Sequence, residues 1–259
     1  MGYLDYAVNV SDPPVDHYIP RLLLRRFLGK NGALWVCDLR ENSIQTQSVK
    51  ETGAEPEFDT VWRNGTPERE VAELFSPHFE APVGLALKAL HEFKGLNQEN
   101  ILAIINFAAF LFRRTPAAIE RKQTDLSHLG SCHSSSRDGS FLLSLQSIPS
   151  VVESLTAMRW AFLYVPRDAA DLVLGDNPVI RRGFGMGTEI WLPLGRRIIA
   201  HAGYGDASGY GVLWPYLVHR INIATFRRAR RFIFAGDRQV IIDTMSAGTV
   251  SMPDRGQVP

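Results

Sequence analysis

Two cysteines, Cys37 and Cys132, are all that 259 residues contain, and they stand far apart without metal-like spacing. That excludes a disulfide framework and fits two free thiols in a reducing compartment. Charge of one sign is also missing. Lys and Arg total 28 against 27 Asp and Glu, for a net charge of +1. The molecule as a whole is therefore no electrostatic trap for nucleic acid or membrane, and any such preference must come from a local patch. Long apolar runs are missing too. The longest, "ILAIINFAAFLF" at 101–112, includes Asn106 and has about half the length that a membrane span needs. The start, "MGYLDYAVNVSDPP", lacks the basic-then-apolar order of a secretory signal, and Tyr6 stands where a myristoylation signal has Ser or Thr. The expectation is a cytoplasmic protein with no membrane partner. Catalytic signatures are absent as well: there is no GxxxxGK[ST], GxSxG, HExxH or paired CxxC. "GFGMG" at 183–187 lacks dinucleotide spacing and reads as a flexible hairpin.

What is present is an ordinary globular composition, with 45% hydrophobic and 21% charged residues. The length suits a single large domain. "HYIPRLLLRRFL" (17–28) predicts a short helix entered through Pro20. "ALWVCDL" (33–39) and "NSIQTQSVK" (42–50) read as a hairpin around a polar turn, and 51–66 as a loop that Phe58 and Trp62 tie down. Thr66 is the expected N-cap of a helix with Glu68 and Glu70 in its first turn, interrupted by Pro77 and Pro82. "VGLALKALHEF" (83–93) is amphipathic, and 97–115 predicts a central helix capped by Asn97 and ended at Thr115-Pro116. The small polar stretch 127–140 reads as a mobile loop or internal boundary, followed by a helix over 149–158. Beyond it, "RWAFLYV", "DLVLGD", "EIWLPL", "RRIIAHA", "RRFIFAG" and "QVIIDT" read as strands, with a helix at 212–229. Helices and strands fall in blocks, which predicts an α+β fold. It would have an N-terminal hairpin and helical part (16–126) packed on a mixed, mostly antiparallel β-rich part (150–245).

Several polar groups invite a functional reading, each beside a plainer one. His17 and Arg21 are four residues apart, so Arg21 can return to the side of His17 and favour its neutral form; the plainer role is a histidine bonded to a carbonyl. Glu73 and Glu80 would share a helix face, or simply face solvent. Arg113 and Arg114 complement a helix C-terminus, or one of them binds phosphate or carboxylate through two parallel hydrogen bonds. In "LGDNPV", Asp176 and Asn177 either close a turn before Pro178 or deliver Asp176 into a cleft. Arg220 and the run Arg227, Arg228, Arg230 and Arg231 read as a solvated face or as a contact for a nucleic-acid backbone.

In order, "HYIPRLLLRRF", "LWVCD", the glutamates of "VAELFSPHFE", "FLFRRTP", Trp160, "LGDNPV" and "WLPL" resemble the domain of unknown function 4238 family over roughly residues 16–235. The resemblance implies that His17, Tyr18, Pro20, Glu80, Arg114, Asp176, Asn177 and Pro178 occupy the motif positions of that family. It implies no reaction. This chain departs from the pattern at Gly175, where Ser or Thr is usual, and at Gly195-Arg196, where Ser-Pro is usual. Three functional expectations stand side by side. In the first, His17, Glu80 and Asp176 converge on a divalent metal, Mg²⁺ or Mn²⁺ rather than structural zinc. Arg21, Arg114 and Asn177 then hold a phosphate-containing substrate for metal-assisted hydrolysis or phosphoryl transfer. In the second, the C-terminal arginines make an RNA- or DNA-binding module. In the third, the same polar groups form a buried structural network.

Overall fold

The computed structural model describes residues 15–249 apart from 64, 65, 70–72, 74, 129–135, 184 and 207. The chain opens with strand β1 (Val15–His17), a short helix α1 (Arg21–Leu24) and a 3₁₀ turn (Arg25–Phe27). Pro20 precedes α1 and fixes its entry. Strands β2 (Leu34–Asp38) and β3 (Ser43–Gln47) form the expected hairpin, and β4 (Ala54–Pro56) returns to pair with β1. Phe58 is buried, but Trp62 is exposed, so only the first anchors the loop.

Residues Thr66–Glu68 correct the expectation of a helix start. They form strand β6, antiparallel to β5 (Val61–Arg63), and an Arg63–Glu68 ion pair of 3.2 Å spans the two. The residue before a proline is pushed toward extended backbone, and here the strand pairing uses that bias. A π-type turn (Ser76–Glu80) leads into helix α2 (Ala81–His91), with Pro82 in its first turn. Helix α3 (Gln98–Arg114) is the central helix, and the Asn97 side chain accepts a 2.8 Å hydrogen bond from the Asn100 amide. Its apolar surface is buried nearly all round. At Thr115 the chain bends by 58° into α4 (Pro116–His128). Pro116 cannot continue the α3 hydrogen-bond ladder, but it suits the first turn of a new helix.

Half of the expected mobile stretch, 129–135, lies outside the described residues, as does Cys132. Its end is helical: Ser136 caps α5 (Arg137–Gln146) through the Gly139 amide. Helix α6 (Ile148–Thr156) follows. The β-rich part contains β7 (Arg159–Tyr164), β8 (Leu174–Gly175), β9 (Ile180–Arg182), β10 (Glu189–Gly195), β11 (Ile198–Gly203) and β12 (Gly209–Val212). Helix α7 (Pro215–Arg228), β13 (Phe232–Ala235) and helix α8 (Arg238–Thr249) complete it. The last of these overturns the expectation of a strand at "QVIIDT". Asp237 accepts from the Gln239 amide at 2.7 Å and starts a helix, and Ile241 and Met245, one turn apart, cover the small core behind Cys37.

The fold is α+β. One sheet has the order β12-β7-β11-β10-β9, antiparallel except for β12 beside β7. The other has the order β3-β2-β13-β8, so the N-terminal hairpin is extended by strands from the far end of the chain. The main core runs from Tyr18 and Phe27 through α2 and α3 to β7, β10 and β11. No single helix among the described residues is long and apolar enough to cross a membrane.

Phe110 is fully buried and stacks on Phe79 at 4.5 Å between centroids. Phe110→Ala is expected to lower unfolding free energy in urea by about 3–5 kcal/mol; a loss under about 1 kcal/mol would mean that α3 is not the packed centre.

Candidate functional site

Two places collect the polar residues. The first is a cleft of about 390 Å³ between β1, the 58–60 turn and the start of α2. His17, Arg21, Glu73, Glu80 and Arg114 all line it. Of the residues expected at a site, His17, Arg21, Glu80 and Arg114 thus share one cleft, and Glu73 joins them. Sequence reasoning missed Asp16, Asp59 and Arg69, which line the same cleft.

Those three change what the cleft is. Arg114 is buried; its Nε donates to Asp59 at 3.0 Å, its Nη2 pairs with the other Asp59 oxygen, and its Nη1 donates to the His17 carbonyl at 2.6 Å. Phe75, Phe110 and Phe58 pack around the guanidinium at 4.7, 5.1 and 5.7 Å from their ring centres. Asp16 accepts from the Asp59 amide at 3.1 Å and from Arg69 at 2.5 Å. Burial pushes the Asp59 carboxyl up, and Arg114 opposes it. Arg114 is thus a strut joining α3 to β1 and the 58–60 turn, with its fork already filled by a carboxylate.

His17 Nε2 lies 2.9 Å from the Lys50 carbonyl and 3.3 Å from Arg21 Nε. A carbonyl only accepts, so the shorter contact assigns the proton to Nε2 and leaves Arg21 beside the ring rather than bonded to it. Burial, then Arg21, lowers the His17 pKa. Glu80 is half-buried and forms no ion pair among the described residues; burial raises its pKa, Arg114 opposes this and Asp59 adds to it.

Asp176 is not in this cleft. Its two oxygens accept the amides of Arg230, Arg231 and Phe232 at 2.8, 2.7 and 2.9 Å, and its own amide donates to the Phe232 carbonyl. It ties the end of β8 to the turn before β13. The expected metal set of His17, Glu80 and Asp176 does not form, and among the described residues no group of three or more His, Cys, Asp or Glu stands together as metal ligands. The donors do not fit a divalent ion, because the third carboxylate is saturated by backbone amides elsewhere.

The second place is basic. A cavity of about 300 Å³ is lined by Arg121, Arg181, Arg182 and Arg228 together with Asn177. It shares Arg182 and Arg228 with a neighbour of about 300 Å³ lined by Arg220 and Arg227. No described carboxylate lines either cavity, and none of these six arginines forms an ion pair with a described carboxylate. Burial lowers the Arg228 pKa, and the like charges of Arg121, Arg182 and Arg181 add to it. Two of the expected nucleic-acid contacts drop out. Arg230 pairs with Glu120, and Arg231 pairs with Asp38 at 2.8 Å, so both are neutralised by the fold. Arg121 on α4 and Arg181 and Arg182 on β9 were missed, because only packing brings them to the end of α7.

Residues 16–136 match the family model described as a protein of unknown function (DUF4238). The matched segment is a little under half of the chain. Trp160, "LGDNPV" and "WLPL" lie beyond the matched segment. The chain matches no curated protein and no solved structure.

Arg114→Met leaves a buried carboxylate unpaired and is expected to cost about 3–5 kcal/mol. Asp59→Leu combined with Arg114→Met is expected to cost less than the sum of the two single changes, read by urea unfolding; strict additivity would show that the pair is not coupled.

His17, His91 and His201 are all held below the ordinary value of 6.5, by burial first. The unfolded chain takes up these protons more readily, so their contribution is full above about pH 6.5 and is lost as pH falls below it. Asp59, Glu80 and Asp176 are shifted up, and their contribution runs the other way. Between about pH 7.5 and about pH 5.5 the urea midpoint is expected to fall less in His17→Gln, which retains a donor for the Lys50 carbonyl, than in the parent. An equal fall in both removes His17 from that balance.

Proposed function

We propose that this protein binds single-stranded nucleic acid along the arginine-lined groove. The observation that carries the reading is the groove itself: two adjoining cavities with six arginines and no described carboxylate on their walls. The six guanidinia at the end of α7, on β9 and on α4 repel one another; Arg228 and Arg227 donate to the Arg181 and Gly248 carbonyls, but none of the six has a described carboxylate to neutralise it. Their placement is stabilised by a ligand carrying several negative charges in a row. A chain of phosphates meets that need, and a single small anion leaves most of them unpaired. The arginines line cavities, which suits a flexible strand tracking a groove better than a duplex whose major groove must be entered.

Fluorescence anisotropy with labelled single-stranded RNA and DNA tests this. Binding is expected to weaken steeply between about 50 mM and about 200 mM salt. Arg182→Glu and Arg228→Glu are each expected to weaken binding at least about tenfold and to lower the salt slope, whereas Arg25→Glu, an exposed change outside the groove, is not. No binding at low salt overturns the proposal.

The polar cleft favours a second reading, as a metal-independent phosphoester hydrolase. Glu80 is shifted toward its protonated form and shares the cleft with neutral His17 and the cation Arg21, which are an acid, a base and an anion clamp. Turnover of a model phosphodiester in excess chelator, lost in Glu80→Gln with folding intact, supports it; turnover unchanged in that variant removes it.

A further inference from the structure

We infer that the apolar cavity next to the arginine groove receives one unstacked base of the bound strand and selects guanine through Arg113. This rests on the nucleic-acid reading above and adds to it the base that the site distinguishes.

The cavity has a volume of about 480 Å³ and lies between α3, α6 and the β9–β10 edge of the larger sheet. That volume is in the range of small-molecule sites. Phe112, Leu155, Met158, Val179 and Tyr204 supply apolar and aromatic walls. Phe112, Val179 and Arg181 also line the first arginine cavity, so the two spaces adjoin. Gly185 and Met186, from the turn between β9 and β10, also line it. Gly183 in that turn has φ of +73°, and a Cβ on it would stand 2.0 Å from the Gly187 carbonyl oxygen, so the tight return needs glycine.

One cation lines the cavity in a different state from the rest. Arg113 Nε is buried without a hydrogen-bond partner, and the side chain forms no ion pair among the described residues. Its guanidinium lies over the neighbouring Phe112 ring, 5.4 Å from the centroid. Burial, then Arg121, disfavours its charge. A donor group in that state costs free energy until an acceptor meets it.

A base in the cavity meets both needs. Its faces stack on apolar and aromatic side chains, as unpaired bases do in single-strand sites. Guanine presents two acceptors side by side, O6 and N7, which match the fork of an arginine; adenine places a donor beside N7, and uracil has an N–H between its two carbonyls. Cytosine also has adjacent acceptors, O2 and N3, but its single ring fills less of the cavity than a purine. An acyl chain with a carboxylate head would also satisfy Arg113 and the apolar walls. It would bring one charge to a surface where Arg181, Arg182, Arg121 and Arg228 adjoin, whereas a strand brings a phosphate on each side of the base.

The test compares two labelled strands by anisotropy at low salt, a short oligouridylate and the same strand with one central guanine. The parent is expected to bind the guanine strand about tenfold more tightly. Arg113→Met, and separately Ser154→Phe, are expected to bring the guanine strand to the oligouridylate affinity while leaving oligouridylate within about twofold. Ser154 is exposed on α6 and lines the cavity, so the second variant fills the space without touching the core. Equal parent affinity for both strands, with Arg182→Glu weakening both, overturns the base pocket and leaves the proposed function standing. Equal loss of both strands in Arg113→Met makes Arg113 a backbone contact and also overturns it. No binding of either strand overturns the function and the inference together.

Discussion

The buried pairing of Arg114 with Asp59 holds together what the rest of the structure depends on. Arg114 is the last residue of the central helix, and its guanidinium reaches the 58–60 turn and the carbonyl of His17 at once. Three segments distant in sequence are fixed by one side chain inside a cage of phenylalanine rings. An ion pair in such a place is costly to break because either partner alone is a buried unpaired charge. The same commitment explains why the polar cleft is less open to an anion than its composition implies: the arginine that a substrate would want is already occupied.

Charge outside that network is sorted differently. Arg230 and Arg231 are neutralised by Glu120 and Asp38, and the Asp176 carboxylate is consumed in holding their backbone. Asn177, one residue on, lines the arginine groove. "GDNP" therefore has a split answer. Its aspartate builds the turn from which α7 and β13 diverge, and its asparagine faces the side where arginines without a described carboxylate partner gather. Fold and candidate function meet at that turn, since the amides it fixes set where the end of α7 lies against β9.

Local signals were legible where one interaction decides an element. Asn97 and Thr115-Pro116 bound the central helix because capping and proline act within a turn. The β2–β3 hairpin follows from alternation around a polar turn. The final helix was hidden because "QVIIDT" is rich in β-formers, and the deciding cap, Asp237, acts together with packing of Ile241 and Met245 behind Cys37. Thr66 shows the converse: a residue typical of helix caps is held in a strand by pairing with Val61–Arg63. His17, Arg21, Glu80, Arg114 and Asp176 stood out as polar residues at the ends of apolar elements, but only packing brings the first four to one cleft and leaves Asp176 elsewhere. Asp59, the partner that defines the role of Arg114, sat in a stretch with no periodicity to mark it.

By itself the sequence determined the class of fold, the central helix, the β2–β3 hairpin and the likeness of its N-terminal segment to one family model, because these rest on periodicity, caps and ordered motifs within short spans. Tertiary structure alone decided which charges are free. Lys and Arg nearly balance Asp and Glu in number, so no count distinguishes Arg228 from Arg231. One stands among arginines and the other against Asp38. Charge pairing is a property of distance in space, and distance in sequence does not encode it.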